Sequence, residues 1–302
     1  MPKTILITGG SGLVGTALTN TLLGHGYQVS HLGRSRTSKK SVKSYIWNIK
    51  DGFIEEGAIE SANIVVHLAG AGVADKPWTR SRKQEILQSR VQSTRLLFDK
   101  LASTSNRCET VVCASAIGVY GTDTGEDWVT EESPSGSGFL AEVVRQWEQQ
   151  IVRLEELKLR VVTLRFGIVL SKQGGALPKM VKPIKMNMGA VLGSGTQYMS
   201  WIHIDDLCQI ILKAIRDNNF TGIFNAVSPN PVTNQEFTHA LSQVLNKTLW
   251  LPPVPAFALK LALGELATVV LGGNRVSAEK IISYGYDFRF PALKPALVEI
   301  LK

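Results

Sequence analysis

The chain has 302 residues, 44% of them apolar and 19% charged, which suits one large α/β domain or two intimate ones and excludes a disordered protein. Three cysteines, at 108, 113 and 208, form no C-x-x-C pair, and five scattered histidines have no metal-ligand spacing, so neither a disulfide framework nor a metal site is expected. Part of the net charge of +8 is local: no Asp or Glu precedes Asp51, while Arg34, Arg36, Lys39, Lys40 and Lys43 crowd one stretch without interleaved aromatics. That pattern favours a phosphate site over a nucleic-acid partner.

In chain order, "KTILIT" (3–8) reads as a buried strand and "LVGTALTNTLLGHG" (13–26) as a helix closed by glycine. Strands follow at 27–33, 44–49 and 63–70. A long helix over about 80–103 carries Leu87, Val91, Thr94, Phe98 and Leu101 on one face. A strand at 110–116, a helix over about 138–157 and a strand at 159–167 complete the pattern. Strands alternating with helices predict a doubly wound parallel sheet of Rossmann type. From 171 the texture turns Gly-rich, "MSWIHIDD" (199–206) leads into a helix at about 205–217, and helices are expected near 233–246, 255–270 and 292–301. The expected domains are a dinucleotide-binding unit over 1–170 with 201–228 returning to it, and a smaller α/β substrate lobe from 171–200 and 229–302. The most apolar stretch, 254–273, carries Lys260 and Glu265 and is too short and charged for a membrane span. The N-terminus enters a strand-like run at once, so no signal peptide is expected and the protein is read as cytoplasmic, with no membrane partner.

Between the first strand and helix, "ILITGGSGLVG" (5–15) places Gly9, Gly12 and Gly15 where a tight turn, a close approach to pyrophosphate and close helix–sheet packing each need glycine. The helix N-terminus then offers free N–H groups to phosphate. An NAD site usually has an acid at the end of the second strand. This chain has Gly33-Arg34-Ser35-Arg36, which suits a 2′-phosphate and predicts NADP(H) as cofactor.

These motifs, with "HLAGAG" (67–72), "SAIGVYG" (115–121) and "WIHIDDL" (201–207), resemble the extended short-chain dehydrogenase/reductases, the nucleotide-sugar epimerase and dehydratase superfamily. "PWTRSRKQEILQSRVQST" (77–94), "SKQGGALPKM" (171–180), "GSGTQYMSWIH" (193–203) and "LGGNRVSAEKIISYGYDFRFPALKPAL" (271–297) resemble its atypical epimerase-like branch, in which an uncharacterised C-terminal module follows, here about 250–297. The resemblance implies that Gly9, Ser11, Gly12, Leu13 and Gly15 form the pyrophosphate loop, and that Arg34, Ser35 and Arg36 receive the 2′-phosphate. It implies that Asn48 meets the adenine and that Leu68, Ala69 and Gly70 floor the adenosine ribose and pyrophosphate. Arg90, Ser115, Phe166 and Gly167 complete the implied cofactor contacts.

Members of the superfamily pair a catalytic Tyr with a Lys four residues later on the helix after the fifth strand. The matching residues here are Phe139 and Val143, and the usual strand-end hydroxyl position holds Ala116, with Ser115 beside it. Phe139, Val143, Trp147, Ile151 and Leu154 form one apolar stripe, predicting a buried face. Ser115, Tyr120 and His203 remain as candidate acid–base residues, and Gln197, Trp201 and Arg275 as candidate substrate contacts. Two readings follow: an NADP(H)-dependent epimerase-like oxidoreductase acting on a small polar substrate such as a nucleotide sugar, or a non-catalytic NADP(H)-binding sensor.

Overall fold

The computed structural model describes residues 3–36 and 41–302. Lys39 and Lys40 of the basic stretch lie outside the described residues. The chain runs β1 (Thr4–Thr8), α1 (Leu13–Gly24), β2 (Gln28–Gly33), β3 (Lys43–Asn48), β4 (Phe53–Ile54), β5 (Ile64–His67), α2 (Arg80–Ser103), β6 (Thr110–Ala116), β7 (Trp128–Val129), α3 (Phe139–Val152) and β8 (Arg160–Phe166). It continues through β9 (Ile168–Leu170), α4 (Leu177–Lys185), β10 (Tyr198–Met199), β11 (Trp201–His203), α5 (Ile204–Arg216), β12 (Gly222–Ala226), β13 (Val232–Thr233) and α6 (Asn234–Val244). The C-terminal part holds α7 (Ala256–Leu263), α8 (Ala267–Leu271), β14 (Arg275–Val276), α9 (Glu279–Ser283) and α10 (Leu293–Leu301).

Eight strands form one sheet in the order β12-β8-β6-β5-β1-β2-β3-β4, parallel throughout except that β4 runs back against β3. The order reverses at β1: β2 and β3 build outward on one side and β5, β6 and β8 on the other. A doubly wound sheet opens a crevice at the carboxyl ends of its strands where that reversal occurs. Alternation along the strands fills both faces. Ile5, Ile7, Val66 and Val112 pack with Leu18, Leu22, Ile211 and Ile215 of α1 and α5. Leu6, Val65, Val111 and Cys113 pack with Leu97, Trp147 and Ile151 of α2 and α3. Each such aliphatic side chain contributes about 1.5–3 kcal/mol on burial, an upper bound because a real unfolded chain already hides some of it.

A third cluster joins α4, α6 and α10 through Leu177, Val181, Ile184, Phe237, Leu241, Leu297 and Ile300. The tail is tied to α5 by buried Asp206, whose carboxylate accepts from the Tyr286 hydroxyl (2.8 Å) and the backbone N–H groups of Arg289 (2.9 Å) and Phe290 (3.0 Å). Of the 201–228 segment, β12 forms an edge of the large sheet, whereas β11 pairs with β9 outside it. The single helix expected over 255–270 is two: α7 stops at Gly264, whose φ of +59° is left-handed, and a short 3-10 turn precedes α8. Among the described residues no helix is long and apolar enough to cross a membrane.

Candidate active site

The glycine turn sits at the crevice. Gly9 has φ +68° and lies against β5's exit: a Cβ on it would stand 3.0 Å from the Leu68 carbonyl. Gly12 donates its N–H to Gly9 O (3.0 Å) and caps α1 without a side-chain bond, and α1 has no acid in its first turn. A Cβ on Gly15 would collide with Gly9 O, so helix and turn touch directly. The first N–H groups of α1 therefore point outward with no side chain to satisfy them, a ready site for an anion. Ser11 is exposed beside them, and Leu13 is half-buried and faces Gly174 and Gly175.

The floor of this turn is organised by a buried polar chain. Thr8 Oγ1 accepts from the N–H groups of Leu68 (3.1 Å) and Ala69 (3.2 Å), so its own proton goes to His67 Nδ1 (2.7 Å). Thr94 Oγ1 donates to Arg90 O (2.8 Å) and accepts from Trp147 Nε1 (3.1 Å) and His67 Nε2 (3.1 Å). His67 is thus the neutral tautomer protonated at Nε2. Burial pulls its pKa down to about 4.

Arg34 and Ser35 are exposed at the end of β2, and among the described residues Arg34 has no ion-pair partner. Arg36 is otherwise engaged: it pairs with Glu55 (2.8 Å) and donates to Ser44 O. That partner lies beyond β3, outside the short basic stretch. Arg90 donates to Ala71 O and Ile86 O (both 3.0 Å), stacks 5.2 Å over Trp147 and lies beneath Gly70. Among the described residues it has no carboxylate partner, and burial lowers its pKa to about 10. Asn48 closes the β3–β4 turn, donating to Asp51 Oδ2 (2.5 Å) and accepting from Lys50 N (3.1 Å).

The candidate acid–base groups are not gathered at one point. Ser115 is buried and donates to Glu148 Oε1 (2.6 Å). Arg165 grips Glu148 through Nε (2.8 Å) and Nη2 (2.7 Å) and donates from Nη1 to the Tyr120 hydroxyl (3.0 Å). Tyr120 in turn donates to Asn225 Oδ1 (2.6 Å), and burial raises its pKa. Glu148, Arg165 and Asn225 went unnoticed in the sequence because their partners lie 17 to 105 residues away. Phe166 and Gly167 are half-buried at the end of β8, where Phe166 aligns with Ala116.

His203 stands elsewhere. It caps α5, accepting the Asp205 N–H at Nδ1 (3.1 Å), so Nε2 donates to Glu299 (2.9 Å); the ring stacks on Phe290. A hollow of about 330 Å³ beside it borders the middle of α1 through Ala17, Asn20 and Thr21, not the glycine turn. The sequence does carry the signal: the strand ends at His203 and acids follow at 205 and 206, a helix-start pattern. Trp201 is fully buried and bonds to Asn230 O (3.1 Å), leaving no surface for a substrate. Gln197 is buried and staples Leu192 O to Val270 O (both 2.9 Å). Arg275 lies between the rings of Trp128 (4.5 Å) and Tyr198 (4.7 Å) and donates to Glu126 O (3.1 Å).

Val143, Trp147 and Ile151 of α3, and Leu154 in the turn after it, are buried as the stripe predicted. Phe139 departs from it. Its half-buried ring meets Trp78 edge-on at 4.9 Å, and the Lys83 ammonium lies 5.3 Å from its centroid.

A model of the NAD-dependent epimerase/dehydratase family matches residues 5–245, the glycine turn and the whole large sheet. The chain belongs to that family. Residues 254–300 match a second model, a domain of unknown function. An epimerase family protein of Bacillus subtilis, YfhF, is 33% identical over 98% of this chain and 97% of its own. The crystal structure of human epimerase family protein SDR39U1 (isoform 2) with NADPH superposes with a TM-score of 0.88 at 29% identity, covering 98% of both chains. A nucleoside-diphosphate sugar epimerase from Corynebacterium glutamicum gives 0.81 at 34% identity, covering 100% of this chain and 58% of that one.

Proposed function

We propose that this family member is an NADP(H)-binding, epimerase-like oxidoreductase whose substrate is a small polar metabolite of the nucleotide-sugar class. The observation that carries the cofactor reading is the juxtaposition of an uncapped, acid-free helix N-terminus with exposed Arg34. The residues fit the dinucleotide. The turn from Gly9 to Gly15 offers backbone N–H groups to pyrophosphate, Arg34 and Ser35 offer donors to a 2′-phosphate, and Arg90 lies without a carboxylate beneath the 68–71 loop. When bound, the dinucleotide supplies reversible redox chemistry. The chain itself anchors its phosphates, floors its ribose and keeps water from the buried strand ends. The NADPH complex of the human relative and the bacterial nucleoside-diphosphate sugar epimerase support the same reading.

A second reading, a cofactor-binding sensor without turnover, is favoured by one observation: Ser115, Tyr120 and His203 all spend their polar atoms on internal partners. Thermal-shift measurement with NADPH, followed by nucleotide sugars and sugar phosphates added to the saturated complex, separates the two. An enzyme shows a second rise, since a ligand at 100 times its Kd adds about 2.7 kcal/mol to the folded state. No second rise with any of them favours the sensor.

A further inference from the structure

Helix α3 brings neither of the polar groups that the family pattern places on it. Phe139 has no hydroxyl, and Val143, where an ammonium is usual, is buried. Yet a cation does reach the ring of Phe139, from another element. Lys83 stands in the first turns of α2, immediately after the loop that follows β5. Its ammonium lies 5.3 Å from the Phe139 centroid, and Trp78 flanks the same ring. Lys83 and Phe139 lie at the starts of the helices that follow β5 and β6, on the side of the strands' carboxyl ends, and the Lys83 side chain is 29% exposed.

Its anionic partner is Glu265, in the turn between α7 and α8 and 182 residues away in sequence. That segment is lightly held. No residue of α7 is buried, α8 buries only Ala267, and Phe257 and Leu261 are exposed. The ion pair therefore connects the C-terminal module to the rim of the crevice. Glu265 is 63% exposed, so the pair is screened and exchangeable. A bound ligand rich in hydroxyls can share the ammonium's three donors with it.

We propose that Lys83 takes over the ammonium role that α3 has lost, binding the ribose hydroxyls at the nicotinamide end of the cofactor, with Glu265 positioning it from the C-terminal module. This rests on the NADP(H) reading above. It separates the cofactor into two ends with different cations: Arg34 at the 2′-phosphate and Lys83 at the nicotinamide ribose.

Two probes distinguish these ends: NADPH, which has both, and 2′,5′-ADP, which has only the phosphate end. Calorimetric titration of both is carried out on wild type, Lys83→Met and Glu265→Gln, each checked by melting temperature. Loss of one charge-assisted hydrogen bond corresponds to about 10- to 150-fold in affinity. Lys83→Met is expected to weaken NADPH by that factor and leave 2′,5′-ADP unchanged. Glu265→Gln, which keeps the ammonium but frees it, is expected to give a smaller loss confined to NADPH. An unchanged NADPH affinity in Lys83→Met overturns the proposal, as does an equal loss for both probes, which marks a general electrostatic or folding effect. Tighter NADPH binding in Glu265→Gln overturns the positioning role of Glu265. If wild type binds neither probe, the cofactor reading fails and this inference with it; binding of both, unaffected by Lys83→Met, removes this inference alone.

Discussion

His67 gives the protein a definite acid weakness. In the folded chain it is neutral, locked between the Thr8 hydroxyl and Thr94 Oγ1, and its pKa is pulled down to about 4 by burial. In the unfolded chain it titrates near the ordinary value of about 6.5. Between those values the unfolded state binds the proton and the folded state does not, so stability is full above pH 6.5 and falls as the pH drops, levelling near 4. For that pair of values the loss is about 1.4 kcal/mol at pH 5.5 and about 2.6 kcal/mol at pH 4.5. Carboxylates also titrate toward the lower end, so the informative quantity is a difference. His67→Gln keeps an acceptor and a donor but cannot take a proton. Urea unfolding of both proteins at pH 7.5, 5.5 and 4.5 should show the variant less stable at neutral pH, with a shallower decline by about those amounts. Parallel pH profiles would refute the assignment of His67 as a neutral, sealed histidine.

Other outcomes follow from the same contacts. Glu148→Ala leaves the Arg165 guanidinium, 7% exposed, without its carboxylate, and should cost about 3–5 kcal/mol in urea unfolding; a change below about 1 kcal/mol contradicts the network. Introducing a Tyr and a Lys through Phe139→Tyr and Val143→Lys should not create alcohol oxidation, because position 143 is 2% exposed and an unpaired ammonium there costs more than about 2 kcal/mol. A soluble double variant with unchanged melting temperature and dehydrogenase activity would contradict that. Arg275→Ala removes a guanidinium held between two rings, so it should lower the melting temperature without altering NADPH affinity; lost NADPH binding would place it in the cofactor site.

The parts of the fold written in local periodicity were legible. "KTILIT" followed by a glycine turn and an apolar helix gave β1, its loop and α1, and the alternation of strand and helix gave the parallel sheet. Gly9 lies against Leu68 and Gly15 against Gly9. What escaped was decided by distant partners or by orientation. Arg36 looks free until Glu55, just after β4, pairs with it. Ser115 and Tyr120 look available until Arg165 and Glu148 claim them. Trp201 sits on a correctly read strand, but nothing local says that its side chain points into the cluster with Leu177, Phe237 and Leu297. Nothing local marks Lys83, because only the fold brings it beside Phe139 and Glu265.

The central claim is that an acid-free helix N-terminus and Arg34 together hold a phosphorylated dinucleotide. Calorimetric titration of NADPH and NADH into wild type and Arg34→Ala tests it most directly. NADPH should bind wild type much more tightly than NADH. Arg34→Ala should weaken NADPH by about 10- to 150-fold, the equivalent of one charge-assisted bond at about 1.5–3 kcal/mol, and change NADH little. Equal affinities of wild type for the two cofactors would contradict the account.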